Sequence, residues 1–392
     1  MRGEAGSRGK DVRSDAWVCF EPTDDGKQEL NLKSKVQSMY GESTEKLIRD
    51  MMTFFGFDSY HIEIEDQGAL PFVLMARIEV AIKRALPDTK KEYIPSYASL
   101  KTYTSKRDRL RRSRLYLPGN SPKFFINAGL HKPDGIILDL EDSVSPSEKD
   151  AARILVRNAL CSIDFLGAER MIRINQGELG MLDIDMLIQH NVDLVLIPKV
   201  EEPDDVIRVD EAIKGIVPDK EVFIMPIIES CKGVENAYHI GISTNSVVAL
   251  AIGLEDYTAD LGTQRTEEGG ESIVSRCRVV NAAKAAGVQG IDTVYSDVGN
   301  MLGLLEDVRL AKSLGFEGKG CIHPRQIPVV HQGFAPEQQE LDKALKIVDA
   351  FKKATEMGLG VVSLGTKMID PPVVKRALRT VELARLSGLL ME

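Results

Sequence analysis

Eight short apolar runs, each followed by a polar or amphipathic stretch, constrain this chain more than any other feature. They begin at Arg114 (RLYLPG), Gly135 (GIILDLED), Met171 (MIRIN), Leu194 (LVLIPK), Phe223 (FIMPIIE), Val247 (VVALAIGLED), Gly290 (GIDTVYSD) and Gly318 (GKGCIHP). Many of their residues are β-branched and few are charged. Strands buried on both faces read in this way, and such strands belong to parallel sheets. Stretches between them, such as SEKDAARILVRNAL and DVGNMLGLLEDVRLAKSLG, have helical spacing. Eight alternations in this length predict an α/β fold, a (β/α)8 TIM barrel.

The ends of these runs are polar. They carry Glu141 and Asp142, Arg173 and Asn175, Lys199, Glu229, Glu255 and Asp256, Asp297, and His323. Any one of them could cap a helix or complete an ion pair. As a set they fall at the same end of nearly every strand, which is where a barrel of this kind does its chemistry. The stretch VFIMPIIESCKG poses the question sharply, because an otherwise apolar run stops on the carboxylate of Glu229.

The chain has 392 residues, enough for additions at both ends. Residues 1–86 are expected to form a small α+β domain, since a strand-like run, a turn at Gln67-Gly68 and a strong helix occur in FFGFDSYHIEIEDQGALPFVLMARIEVAIKRAL. Residues 87–108 read as a solvated basic linker, 109–330 as the barrel, and 331–392 as a helical C-terminal extension. Charged residues are 28% of the chain and the net charge is −9, which argues against nucleic acid as the main partner. The segment MRGEAGSRGKD lacks the apolar core of a secretory signal. No apolar run is long enough to span a membrane. The five cysteines are scattered without a CxxC pair, so reduced thiols in a cytoplasmic protein are expected.

In order along the chain stand RRSRLYLPGN, ILDLEDSVSPSEKDAAR, RIN, PKVE, IIES, GLEDYTADLG, DTVYSD, GFEGKGCIHPRQI and GLGVVSLGTKMIDPPVVKRA. From about Arg109 to Leu389 the chain thus resembles the citrate lyase beta subunit and the related citramalyl-CoA and malyl-CoA lyases, of the HpcH/HpaI aldolase family. The resemblance implies retro-Claisen cleavage of a 3-hydroxy-acyl thioester. Citryl thioester gives acetyl thioester and oxaloacetate, with citramalyl- or malyl-CoA as alternative substrates. It implies Mg²⁺ held by Glu229 and Asp256, a choice of hard oxygen ligands that suits this ion. Arg173 is then the carboxylate-binding group. Arg112 would bind phosphate or carboxylate, or be one more charge of a basic linker. Glu141 and Asp142 would act at the substrate by orienting metal-bound water or Arg173. Lys199 is not needed as a Schiff base. Asp370 matches an aspartate that acts as acid/base across the interface of a homotrimer; its other reading is the cap of the helix that begins at Pro371.

The front domain, from about Gly9 to Leu86, resembles the citrate lyase gamma subunit, an acyl carrier protein. That resemblance implies a phosphoribosyl-dephospho-CoA arm on Ser14 of DVRSDAW and an alpha subunit as partner. Without the arm, free CoA thioester would be the substrate and the domain would serve docking. A non-catalytic scaffold subunit is the reading from a different class, and the retained Glu229, Asp256, Arg173 and Asp370 speak against it.

Overall fold

The structure is a computed structural model that describes residues 1–95, 103–356, 362–364 and 367–390. Residues 96–102 of the expected linker, and 357–361 and 365–366 of the stretch before Asp370, lie outside the described residues.

The front domain has strands β1 (Gly3–Ala5), β2 (Ala16–Pro22), β3 (Gln28–Ser34) and β4 (Tyr60–Asp66), with helices α1 (Gln37–Phe55) and α2 (Pro71–Ala85). The sheet order is β1-β2-β4-β3, with β3 and β4 parallel and joined by α1. Alternation sets the register: Val18 faces Ile64 and Phe20 faces Ile62, all four buried on the helix side. The chain turns helical at Gln37, where Ile48, Met51, Met52 and Phe55 repeat at helical spacing and bury one face.

The barrel strands are β5 (Ser113–Pro118), β6 (Gly135–Asp139), β7 (Glu169–Arg173), β8 (Leu194–Ile197), β9 (Phe223–Ile228), β10 (Ala249–Ile252), β11 (Gln289–Asp292) and β12 (Gly318–Cys321). They pair in parallel, each with its neighbour in sequence, and β12 closes on β5. All eight expected strands are present, so the predicted (β/α)8 barrel is the fold. The surrounding helices are α3 (Lys149–Ser162), α4 (Gly177–Leu187), α5 (Pro203–Ile216), α6 (Cys231–Gly241), α7 (Leu254–Leu261), α8 (Ile273–Ala286), α9 (Met301–Leu314) and α10 (Gln326–Phe334). Inward-facing Ile137, Met171, Leu196, Phe223, Met225 and Ile291 fill the interior. Outward-facing residues join the helices in a second cluster.

That second cluster runs without a break into the front domain. The cause is α2, which is buried nearly all round because it packs on β1 and β2 on one side and on α3 on the other. Glu79 of α2 accepts from Arg157 of α3 at 2.7 and 3.1 Å, and both side chains are fully buried. Asn158 Nδ2 donates to the Phe72 carbonyl (3.1 Å). Arg84 pairs with Asp150 at 2.7 Å.

Segment 103–112 is not a solvated connector. Tyr103 donates to the Ala168 carbonyl (2.9 Å), and Arg107 donates to the carbonyls of Asn245 and Val247. Arg111 forms a buried two-pronged pair with Glu169, both bonds 2.8 Å. Glu169 opens β7, so this segment closes the N-terminal end of the barrel. The C-terminal extension is a hairpin of α11 (Gln338–Glu356) and α12 (Pro371–Leu386), with β13 (Val362–Leu364) and β14 (Lys367–Ile369) between them. Helix α12 lies across that same N-terminal end, where Arg379 pairs with Glu317 (2.6 Å).

Candidate active site at the barrel rim

A cavity of about 440 Å³ opens at the C-terminal end of the barrel. Glu229, Asp256, Arg173, Asp139, Tyr116 and Arg114 all line it. Five strands contribute, or the turns directly after them, as expected where parallel strands end.

Glu229 follows β9 and is 6% exposed. It is not the cap of the next helix; Ser230 is, its Oγ accepting from the Gly233 N–H (3.1 Å). Glu229 Oε1 instead accepts from the backbone N–H of Lys199 (2.7 Å). Lys199 adopts φ +50°, an unusual angle for a side chain of this size, and that turn presents its N–H to the carboxylate. Gly253 completes the hollow, since a Cβ there would stand 2.5 Å from Glu229 Oε2. Burial pushes the Glu229 carboxyl up to about 7, against the pull of the Lys199 N–H and with help from Asp256. Asp256 lies in the first turn of α7, so it is helical and not a loop turn; its carboxylate meets Lys199 Nζ at 3.3 Å.

Two carboxylates therefore share one hollow, one of them made costly to ionise by burial. This donor set fits a hard divalent cation. Among the described residues no group of three or more His, Cys, Asp or Glu could hold a metal, so remaining ligands would come from water or substrate oxygens.

Arg173 ends β7 and is anchored from below. Its Nε and Nη2 donate to Asp139 at 2.7 and 2.8 Å, and its Nη1 meets Glu141 at 3.0 Å and Asp142 at 3.4 Å. Its guanidinium lies over the Tyr116 ring, 5.4 Å from the centroid. Burial weighs against its charge, but Asp139 overcomes this and holds Arg173 above its usual range. Glu141 also accepts from Gln176 (2.8 Å), and burial raises its carboxyl. Asp142 is the most exposed of the three acids.

Asp139 and Arg114 were not singled out from the sequence. Asp139 sits inside the run GIILDLED, where position parity was the available signal: 137 and 139 face inward together. Arg114 is hidden in the basic text RRSR. Its neighbour Arg112 was expected at the substrate, and the structure places it at the opposite end of the barrel. There it pairs with Asp134 (2.9 Å) and donates to Ser387 (3.2 Å), because Arg112 precedes β5 while the site follows the strand ends. Asn175 bonds Asp183, Asp297 accepts from Gly299 N, and His323 accepts from Arg325 N; these three shape turns. Glu255 also lines the cavity and pairs with Arg265 (2.6 Å).

Asp370 accepts from Val373 N (3.1 Å) and caps α12. Within its own chain it belongs to the helix that lies across the N-terminal end, away from the rim. Ser14 has φ +56° and donates its N–H to the Gln67 carbonyl (3.1 Å). The adjacent Asp15 pairs with Arg77 (2.8 Å), and Arg77 donates to the carbonyl of Asn120, in the rim loop after β5.

A closed parallel barrel whose C-terminal rim holds a carboxylate pair and a clamped arginine in one cavity defines a class: (β/α)8 barrels with their active site where the strands end. The pattern of the HpcH/HpaI aldolase/citrate lyase family matches residues 112–324, and that of the malonate decarboxylase delta subunit (MdcD) matches residues 6–85. The citrate lyase subunit beta of Haemophilus influenzae is 40% identical over 291 residues, 72% of this chain and all of that protein. The mitochondrial citramalyl-CoA lyase of Mus musculus is 32% identical over 321 residues, 76% of this chain and 94% of that protein. The crystal structure of CitE from Mycobacterium tuberculosis in complex with magnesium, acetoacetate and coenzyme A superposes with a TM-score of 0.60 at 28% identity, over 71% of this chain and all of that one. This chain belongs to the HpcH/HpaI aldolase/citrate lyase family, and its front domain is of the acyl-carrier-like kind that the sequence resemblance implied.

Proposed function

We propose that this chain is a Mg²⁺-dependent carbon–carbon lyase that cleaves a citryl thioester to an acetyl thioester and oxaloacetate. The observation that carries the reading is the rim cavity of about 440 Å³, which Glu229, Asp256 and Arg173 line together. A divalent cation bound there would supply Lewis-acid polarisation of the keto-acid oxygens. Glu229 and Asp256 would supply its protein ligands, and the Lys199 N–H and the Gly253 hollow fix Glu229 in place. Arg173, anchored by Asp139 and flanked by Glu141 and Asp142, grips the carboxylate beside the carbinol carbon. In the reaction the carbinol hydroxyl loses its proton and its C–O becomes C=O. The bond to the methylene next to the thioester breaks, and its electron pair forms the thioester enolate, which takes up one proton. Asp370 of a second copy is the proposed acid/base, and a homotrimer supplies that copy. Citramalyl- or malyl-CoA cleavage uses the same apparatus, and the relationship to citramalyl-CoA lyase supports it as the second reading.

The front domain would present a CoA-derived arm on Ser14, or in its absence the enzyme would take free CoA thioesters. The contact of Arg77 with Asn120 supports the first, because it holds the Ser14 segment beside the catalytic end. An alpha subunit of citrate lyase is the partner proposed for the arm-bearing form. The test is direct: purified full-length protein with Mg²⁺ should release oxaloacetate from citryl-CoA and stop in excess chelator. Intact mass of protein from its native host reads whether Ser14 is modified. Turnover that survives the chelator would end the metal role, and no cleavage of any of the three thioesters would leave the scaffold reading.

A further inference from the structure

We infer that Arg114, on the floor of the rim cavity, binds the second carboxylate of the substrate and so selects citryl over citramalyl thioester. This deepens the proposed lyase function and rests on it.

Arg114 is the second residue of β5 and points into the barrel, as do Tyr116 and Pro118 above it. It crosses the interior. Nη1 donates to Met225 Sδ (3.1 Å) on β9, the strand opposite β5 in the closed ring. Nη2 donates to the backbone carbonyl of Asp292 at 3.4 Å, and Nε has no hydrogen-bond partner. The side chain is 1% exposed. A guanidinium in such a place ordinarily has a carboxylate. Arg114 has none among the described residues. The Asp292 carboxylate is engaged with Lys319 (2.7 Å) and Arg276 (2.7 Å) on the outer side of the barrel, and Asp139 is engaged with Arg173. Burial weighs against the charge of Arg114, and no partner reverses this.

Glycines stand beside the arginine in both neighbouring strands. The residues in register with Arg114 on either side are Gly135 of β6 and Gly320 of β12. A Cβ at Gly320 would come within 2.6 Å of Val294 Cγ1, and one at Gly135 would run into the Met171 methyl. Arg114 thus lines the cavity with one hydrogen bond unmade.

The chemistry decides what the missing partner is. Citryl, citramalyl and malyl thioesters share the carboxylate beside the carbinol, which Arg173 and the cation would take. Citryl thioester alone bears an additional acetate arm, which becomes the second carboxylate of oxaloacetate. A charged donor lacking a partner below Tyr116 fits that group and has no use for the methyl of citramalyl or the hydrogen of malyl. A site built around a polar group also rejects the analogue lacking it, because its own donor is then left unpaired.

The test compares citryl-CoA and citramalyl-CoA cleavage by full-length wild type, Arg114→Met and Arg114→Lys, all with Mg²⁺. In Arg114→Met the ratio of kcat/KM for citryl over citramalyl should fall by about a hundredfold or more, and Arg114→Lys should recover part of it. An unchanged ratio, or an equal loss on both substrates, overturns the assignment. A measurement on wild type alone covers the case in which Arg114→Met does not fold: with Mg²⁺, oxaloacetate should raise Tm well above the shift given by pyruvate at equal concentration. Equal shifts also overturn it. Wild type that cleaves neither thioester, yet shows the oxaloacetate preference, would instead count against the lyase reading and leave the binding site standing.

Discussion

Gly253 and Lys199 show how a single backbone choice can decide chemistry. One leaves out a Cβ and the other accepts φ +50°, and between them Glu229 gains a fixed position. Glu229→Gln should therefore fold with an unchanged Tm and lose turnover by about 10²-fold or more, since it removes a proposed cation ligand and no core contact. Gly253→Ala should weaken Mg²⁺ binding without touching either carboxylate, as measured by calorimetric titration; unaltered affinity would show that the hollow is irrelevant. A second residue-scale effect lies away from the site. Burial, with Arg157 and Lys220 nearby, holds the His190 imidazole down at about 4 against an ordinary 6.5. Between those values the unfolded chain binds the proton and the folded chain does not. Stability thus rises with pH across that window and is lost as pH falls through it. His190→Gln should shrink the drop in Tm between pH 7 and pH 5, and an identical drop would mean that other groups control the acid limb. Glu229, Asp256 and Arg173 were legible in the sequence because each stands where an apolar run stops. Asp139 was less so, since it lies within its run, and Arg114 less still, since one arginine among several in RRSR reads as solvated charge. Only the inward parity of β5 separates it from Arg112.

The strands were the legible elements: both of their faces are buried, so the apolar text is nearly continuous and its period needs no partner to interpret. Helix α1 is hard to read from the sequence because its apolar stripe starts late, at Leu47 and Ile48, behind a polar first half. Segment 103–112 looked like linker for a related reason. Its arginines are basic in text, but Arg111 and Arg107 are consumed by Glu169 and by carbonyls beneath the barrel. Helix α2 gives the sharpest prediction at this scale. Arg157→Leu leaves the buried Glu79 without its main partner and should cost about 3–5 kcal/mol, the range found when one half of a buried pair is removed. Chemical denaturation reads this directly. A cost below 1 kcal/mol would mean that Lys83, which also reaches Glu79 at 2.9 Å, suffices.

At the scale of the molecule, the ends of the barrel have separate duties. The C-terminal rim carries the acids, and the N-terminal end is sealed by segment 103–112 and α12. Because α12 lies at the sealed end, the proposed role of Asp370 requires another copy. Asp370→Asn should assemble and bind metal yet lose about 10²–10⁴-fold in turnover, the range of a positioned acid/base. Mixing it with Glu229→Gln should restore part of the activity through mixed trimers. Verified subunit exchange without recovery would exclude action across the interface, and full activity in Asp370→Asn alone would reduce the residue to the helix cap it forms here. The core shared through α2 has a further consequence during synthesis. Glu79 meets Arg157 only after 78 more residues have been made. At roughly 5–20 residues per second on the ribosome, that is a delay of about 4–16 s. For that interval Glu79 has only Lys83 of its own helix as a charged partner and the front domain carries an uncovered apolar helix face, so its completion must wait for the first barrel helix, and nascent-chain chaperones have a defined surface and a defined time in which to hold it.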